Sequence, residues 1–110
     1  MNNTTLFEVA MDNFPLQFQP DCGSDVTLIS ENDFENFKYH TSSKIALLQD
    51  ECSFTAANNT PIEFLGFFYT TLFSKSGRNC KAKIYVADLP ESEPPLIGEK
   101  HLLELGLITY

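Results

Sequence analysis

The stretch that decides the fold is residues 14–30, FPLQFQPDCGSDVTLIS. Its first six residues alternate apolar side chains with others, the period-two pattern of a half-buried strand. From Pro20 to Asp25 the pattern is broken by proline, glycine and polar side chains, which predicts a loop. Strand character returns at residues 26–29 (VTLI), so the stretch predicts a strand, a loop that displays Asp21, and a second strand.

Further strands extend outward from this unit in both directions. Towards the N-terminus, residues 5–11 (TLFEVAM) predict a strand that ends at the turn-forming pair Asp12 and Asn13. In the longest apolar run downstream, residues 62–73, Gly66 predicts a bulge or bend. The remaining predicted strands are residues 45–48, 52–57, 81–87, 96–98 and 107–110.

Two short helices are predicted between the strands. Ser30 is a good N-cap, with Asp33 three residues on, and begins a helix over residues 30–37. Residues 99–105 are rich in leucine and predict a second helix, which Gly106 stops. Many short strands with two short helices predict a mostly β fold, either a barrel or a sandwich.

Length and charge limit the domain organisation and the partners. The chain of 110 residues is expected to form a single domain, residues 1–110, around one modest core. Its formal net charge of -8 argues against nucleic-acid binding by this domain and against contact with anionic membranes. The N-terminus does not have the pattern of a signal peptide, and no apolar run approaches the ~18 residues that span a bilayer. We therefore expect polypeptide partners and no membrane association.

The cysteines and histidines form no metal-binding pattern. Cys22, Cys52 and Cys80 are widely spaced and no C-x-x-C pair occurs, so a structural zinc site is not expected. His40 and His101 each stand alone in the sequence. The odd, scattered set of cysteines favours a reducing intracellular compartment, with the cytoplasm as the expected location. We expect neither a metal nor a cofactor.

Two motifs carry a resemblance to a known family. DCGS at residues 21–24, followed by VTLIS at 26–30, is similar to the D-[TS]-G-[AS]-x-V-[ST]-x-I-S signature of retropepsins, especially the proteases of gypsy-type retrotransposons. ANNTPI at residues 57–62, followed by a Leu-Gly pair at 65–66, is similar to the A-N-G-T-P-I…L-G flap segment of the same group.

A third motif follows in the same order as in the family. PLIG at residues 95–98, a leucine-rich helix, and GLI at 106–108 resemble the family's apolar-apolar-Gly motif with its C-terminal helix. The likeness covers residues 7–108. It implies a closed retropepsin-like β-barrel with one or two short helices, one of them at about residues 99–105, and one lobe per chain.

The resemblance also implies roles for individual residues. The catalytic residue would be Asp21, and a flap hairpin of about residues 52–66 would cover a bound peptide. The residues that would support the catalytic loop are Cys22, Gly23, Ser24 and Gly98. The flap residues that would bind substrate are Ala57, Asn58, Asn59, Thr60, Pro61 and Ile62. The implied activity is cleavage of extended peptide segments of a retroelement-type polyprotein.

The number of acidic loops predicts the oligomeric state. Two carboxylates about 3 Å apart share one proton, so that one activates water while the other protonates the peptide carbonyl. This chain has one D-x-G sequence, at Asp21, and room for one lobe. If it is catalytic, it must act as a homodimer in which two copies of Asp21 meet at the two-fold axis.

Three departures from the family pattern leave other functions open. Cys22 replaces the usual Thr or Ser, whose hydroxyl bonds across the dimer axis, and a thiol is a weaker donor. Asn59 stands where the flap usually has Gly, and Glu99 where the family often has Arg or Asn. The alternative is a catalytically weakened or inactive, domesticated domain that serves as a homodimerisation or peptide-binding module. A third hypothesis is the retropepsin domain of a proteasome-shuttle protein, joined to ubiquitin-binding modules.

Less specific interpretations of these residues are also open. Pro-Asp-x-Gly is a common turn, so Asp21 without the other motifs would indicate only a turn residue. Asp25 is expected to be a solvated acid and not a second catalytic group. Cys22 with His40 or His101 would form a cysteine-protease pair, although nothing in the sequence places either histidine near the thiol.

Overall fold

Strands are the main regular element of the part of the chain that the structure describes. The computed structural model describes residues 5–49, 54–55, 61–90 and 92–109. The strands are β1 (Phe7–Met11), β2 (Phe14–Asp21), β3 (Thr27–Ser30), β4 (Phe54–Thr55), β5 (Pro61–Ile62), β6 (Phe64–Ser74), β7 (Asn79–Ala87) and β8 (Leu96–Gly98). The helices are α1 (Glu31–Thr41) and α2 (Glu99–Glu104).

Six of these strands close into a barrel in the order β1-β2-β8-β3-β7-β6. The pairs β2–β8 and β3–β7 are parallel, whereas β1–β2, β1–β6, β6–β7 and β3–β8 are antiparallel. The remaining two, β4 and β5, pair with each other as a separate two-stranded sheet. The predicted closed, mostly β barrel with two short helices is therefore confirmed, and the chain forms one lobe.

The main core lies inside the barrel and under α1. Ser30 caps this helix as predicted, because its Oγ accepts a hydrogen bond of 3.0 Å from the Asp33 N–H. The rings of Phe34 and Phe37 then pack against Phe68 of β6 at centroid distances of 5.0 and 5.4 Å. Removing one such buried ring typically costs about 3–5 kcal/mol, so α1 is fixed to the barrel largely by these contacts.

A second apolar cluster covers the opposite face of the wall formed by β8, β3, β7 and β6. Successive side chains of a strand point to opposite faces, so Ile84 and Val86 of β7 enter the main core while Tyr85 and Ala87 enter the second cluster. We call this outer group the cleft cluster. Its buried members are Leu28, Phe67, Tyr85 and Ala87, with Val26, Ile62, Phe64, Leu89 and Leu96 packed against them.

Gly66 forms the predicted irregularity in β6. The register with β7 shifts between Phe64 and Gly66, which is a bulge. Gly66 has φ of 151°, and a Cβ there would lie 2.7 Å from the Leu47 Cβ and 2.8 Å from the Leu48 carbonyl oxygen. Glycine is therefore required by both the backbone conformation and the close approach of the preceding loop.

Two predicted strands are wrong. Residues 45–48 are irregular apart from one bridge, in which Leu48 and Phe67 exchange hydrogen bonds of 2.8 and 2.9 Å. In the predicted strand 107–110, residues 107–108 form bends and residue 109 is irregular, because Gly106 adopts φ of 69° and the Leu107 N–H donates to the Leu102 carbonyl oxygen at 2.9 Å, closing the C-terminus of α2; residue 110 lies outside the described residues. Of the predicted strand 52–57, residues 54–55 form β4 and the rest lies outside the described residues.

Candidate active site

Asp21 is the last residue of β2, and its side chain is half-buried. In the parallel ladder, Gln19 is paired with Leu96 and Asp21 with Gly98. Phe18 points into the main core, so alternation turns Gln19 and Asp21 to the other face of the sheet. That face is the one on which Leu96 joins the cleft cluster. The carboxyl group therefore borders an apolar surface.

Hydrogen bonds fix the loop that follows Asp21. The Ser24 N–H donates to the Asp21 carbonyl oxygen at 3.1 Å, which closes a tight turn. The Val26 N–H donates to Ser24 Oγ at 3.1 Å, and the Glu99 N–H, at the start of α2, donates to the Ser24 carbonyl oxygen at 2.8 Å. The loop is thus anchored both internally and to the β8–α2 junction.

Gly98 lets two segments of backbone approach each other beneath Asp21. A Cβ at Gly98 would lie 2.7 Å from the Val26 carbonyl oxygen and 2.9 Å from the Asp25 carbonyl carbon. Neither contact can be relieved by rotating a side chain, so glycine is needed here on steric grounds. At Gly23 a Cβ would make only an ordinary contact of 3.8 Å, with Asp21 Oδ1. The carboxyl group of Asp21 therefore lies beside Gly23.

The other predicted loop residues differ in exposure. Cys22 is exposed, with a free thiol, and Ser24 is half-buried because its hydroxyl bonds within the loop. Asp25 is exposed. Within the part of the chain that the structure describes, the contacts of His40 and His101 are with groups other than the Cys22 thiol. His40 is exposed and packs against Phe14 at a centroid distance of 5.3 Å, and His101 is buried under the barrel.

Two residues behind the loop were not predicted to belong to the site. Thr27 is completely buried, and its Oγ1 accepts a hydrogen bond of 3.1 Å from the Gly98 N–H. The same oxygen lies 2.6 Å from His101 Nδ1. Burial lowers the pKa of His101; the nearby Glu104 carboxylate opposes this shift and Lys100 adds to it. Two sequence features could have indicated this pair: a threonine at an inward-facing position of β3, and a histidine on the leucine-lined face of α2.

Comparison with known proteins identifies the fold. No family model and no curated protein sequence matches the chain. Among solved structures, EIAV protease in complex with the inhibitor HBY-793 superposes with a TM-score of 0.75, at 22% identity, over 96% of this chain and 91% of that one. The chain has the retropepsin fold. The retroviral protease-like domain of Ddi1 from Leishmania major matches with a TM-score of 0.63, at 12% identity, over 94% of this chain and 78% of that one.

The retropepsin fold confirms the structural part of the resemblance, while the gypsy-type affiliation stays a prediction. β4 and β5 form an antiparallel pair, with Phe54 opposite Ile62 and Thr55 opposite Pro61. The flap at about residues 52–66 stays a prediction. The Ile62 side chain packs on the cleft cluster. The predicted flap residues Ala57, Asn58, Asn59 and Thr60 lie outside the described residues.

Metal sites and membrane-spanning helices are two further kinds of feature to consider in this chain. Within residues 5–49, 54–55, 61–90 and 92–109, no three His, Cys, Asp or Glu side chains are grouped so as to hold a metal ion. Over the same part of the chain, neither helix has the length and hydrophobicity to cross a bilayer.

Proposed function

We propose that this chain is one subunit of a homodimeric aspartic endopeptidase in which each copy contributes Asp21. The observation that carries the proposal is the setting of that carboxyl group in a retropepsin fold. It lies at the end of a barrel strand, in a loop anchored to the β8–α2 junction, and on the same face as the cleft cluster. EIAV protease shows that this fold supports inhibitor-binding proteases.

The proposed mechanism needs one proton shared by two carboxyl groups. The ionised Asp21 takes a proton from a water molecule, whose oxygen attacks the peptide carbonyl carbon, while the protonated Asp21 of the second subunit donates its proton to the carbonyl oxygen. The tetrahedral intermediate then collapses: one of its two hydroxyl groups returns a proton to the carboxylate of the second subunit, the C–N bond breaks, and the Asp21 that took the proton from water gives it to the nitrogen. The pair again holds one proton. Because both subunits take part in each proton transfer, the pH profile of cleavage would belong to the dimer.

The cleft cluster supports an extended, apolar peptide as the substrate. Leu28 and Leu96 continue the surface from Asp21, Tyr85 lies beside them, and Ile62 of the hairpin packs on the same group. Leu28 and Tyr85 are already buried within the chain, so apolar substrate residues would pack on the half-buried members Ile62 and Leu96, where buried apolar area contributes roughly 25 cal/mol per Å². A peptide lying beside the hairpin would add main-chain hydrogen bonds as an extra strand. We further propose that the natural substrate is a polyprotein of the retroelement type.

A second candidate function is a binding module that has lost hydrolysis. The observation that favours it is Cys22, which is exposed next to Asp21 at the place where the family usually has a hydroxyl. A thiol donates weak hydrogen bonds, so a dimer held through this position would be less rigid, and paired carboxylates need a fixed separation. Such a protein would dimerise and bind peptides in the same cleft without cleaving them.

The experiment compares wild type with Asp21→Asn and a matched control, Asp25→Asn. Asp25 is an exposed acid of the same loop, so its replacement changes the charge equally. Denatured protein and an extended-peptide library are incubated with each variant between about pH 4 and 7, where a shared-proton dyad is active. We expect cleavage by wild type and by Asp25→Asn, at a rate that falls with dilution as dimers dissociate, and none by Asp21→Asn.

Two results would contradict this function. Cleavage that survives Asp21→Asn would exclude the aspartic mechanism. A folded dimer that binds peptides but cleaves none at any pH would favour the binding module.

A further inference from the structure

A chain of buried polar groups connects α2 to the loop that carries Asp21. It begins at His101, which is 4% exposed, passes through the hydroxyl of the fully buried Thr27, and ends at the Gly98 N–H. Gly98 is the register partner of Asp21, and its backbone contacts the loop at Val26. None of the family motifs in the sequence includes a histidine at this place.

The direction of each hydrogen bond follows from the donors available. A backbone amide only donates, so the Gly98 N–H gives its hydrogen to Thr27 Oγ1. The hydroxyl hydrogen of Thr27 then needs an acceptor, because a buried donor without one costs about 1–3 kcal/mol. Within the described residues, the recorded neighbour for it is His101 Nδ1, at 2.6 Å. For Nδ1 to accept this hydrogen it must carry no proton, which requires a neutral ring with its hydrogen on Nε2.

We propose that His101 is a positioning residue for the reaction proposed above: its unprotonated Nδ1 orients the Thr27 hydroxyl, which holds the Gly98 amide and thereby the backbone beneath Asp21. The inference rests on the proposed function only where it concerns catalysis. The hydrogen-bonded chain itself is a property of the folded protein. Protonation of the ring turns Nδ1 into a donor facing Thr27 Oγ1, and the hydroxyl hydrogen loses its acceptor.

The two charged groups near His101 act in opposite directions on the neutral ring, since Lys100 favours it and Glu104 disfavours it. Burial lowers the pKa of His101, with Lys100 acting in the same direction and Glu104 against it. On β7, which packs against α2, Cys80 carries no charge at neutral pH, since burial raises the pKa of its thiol to about 11. Before β7, the Arg78 guanidinium donates to the Glu104 carbonyl oxygen at 3.2 Å.

The remaining titratable groups of the strands next to α2 project from other faces. Lys83 of β7 lies over the Phe67 and Tyr85 rings of the outer face, and Lys81 is exposed. Asp21 of β2 lies on the face opposite the main core. Because the folded-state pKa of His101 is depressed, its contribution to stability is fully present above the unfolded value near 6.5 and falls as the pH drops below it. The support for the loop should weaken over the same range.

The first measurement needs no peptidase activity. In the full chain at pH 7.5, nitrogen NMR should show His101 with a bare Nδ1 and a protonated Nε2, and slow hydrogen exchange at the Gly98 amide. His101→Leu removes the acceptor, and we expect protection of the Gly98 amide to fall by about tenfold. His101→Asn places a side-chain oxygen where Nδ1 stood and should retain most of the protection. His40→Asn is the control, since that ring is exposed and its recorded contact is with Phe14.

The second measurement is the pH profile of cleavage. Asn does not titrate, so His101→Asn should keep its kcat at acidic pH values where wild type loses activity through ring protonation, while KM changes little. If the role of His101 were purely structural, each His101 variant would have a lower free energy of unfolding, but the pH at which kcat falls on the acidic side would not change.

The outcomes separate the two proposals. A proton on Nδ1 at pH 7.5, or unchanged Gly98 protection in a folded His101→Leu variant, would overturn the role of His101 whatever the activity. If the NMR results hold but no variant cleaves peptide, the proposed function fails and the hydrogen-bonded chain stands as a support of the loop alone. An acidic limb that is identical in wild type and His101→Asn would contradict the catalytic part of the inference.

Discussion

The two glycines that flank Asp21 in space have different surroundings. At Gly98 a Cβ would meet main-chain atoms of Asp25 and Val26 at 2.9 and 2.7 Å, whereas at Gly23 it would make one ordinary contact of 3.8 Å. Packing within one chain therefore explains the first glycine and leaves the second unexplained. Under the proposed function, the requirement at Gly23 is supplied by the second subunit, whose loop would approach this side. Glycine at Gly98 is thus a requirement of the barrel, whereas glycine at Gly23 would be a requirement of the dimer.

The largest effect on the stability of the single chain should come from Gly98→Ala. The added methyl group would force Val26 and the end of β8 apart, and overpacking of this kind costs about 3 kcal/mol. Urea unfolding, at concentrations where the chain is monomeric, measures the difference from wild type. An unchanged midpoint would show that the backbone there yields easily, and the contrast between the two glycines would disappear.

A smaller loss is expected from Thr27→Val, which tests whether Gly98 is held by polar contacts as well as by shape. Valine keeps the volume but leaves the Gly98 N–H and His101 Nδ1 without their partner, at a cost of about 1–3 kcal/mol. Thr70→Val is the matched control, because the Thr70 Oγ1 is buried without a hydrogen-bond partner. That control should be neutral or slightly stabilising in the same urea experiment. Equal losses at both threonines would point to packing and not to hydrogen bonds.

The smallest effect on the single chain should come from Gly23→Ala. The position is exposed and its φ is not in the positive region, so the free energy of unfolding of the monomer should change by less than ~1 kcal/mol. Dimerisation, followed by sedimentation equilibrium, should nevertheless weaken by tenfold or more, and peptide cleavage with it. A Gly23→Ala protein that dimerises and cleaves like wild type would remove the second subunit from the explanation of this glycine.

Local patterns were sufficient to predict most of the barrel, but not where β2 ends. From its proline, glycine and polar side chains, the sequence predicts a loop from Pro20 to Asp25. In the structure the pairing of β2 with β1 ends at Phe18, so Pro20, which has no amide hydrogen, costs no hydrogen bond to β1. On the side facing β8, the Gln19 N–H donates to the Pro95 carbonyl oxygen. The strand therefore continues to Asp21. The extension matters, because it places the acid in register with Gly98.

The hydrogen bond between Thr27 and His101 behind the loop could not be predicted from local patterns. Thr27 and His101 are 74 residues apart, and nothing in the immediate neighbourhood of either one indicates a partner. Periodicity identifies which face of an element is buried, but not which buried polar groups will meet across the core. Histidine on an apolar helix face was therefore regarded as isolated, whereas the DCGS motif identified the loop itself through its resemblance to a family.

The parallel pairing of β2 with β8 also sets the order of events during synthesis. The Thr27–Gly98 hydrogen bond joins positions 71 residues apart. It cannot form until β8 has left the ribosome and inserted between β2 and β3. Contacts of such long range form late, after their loop-closure entropy has been overcome. A nascent chain that ends before β8 would carry the acidic loop without the Thr27–Gly98 hydrogen bond, so under the proposed function it could not yet form a complete catalytic site.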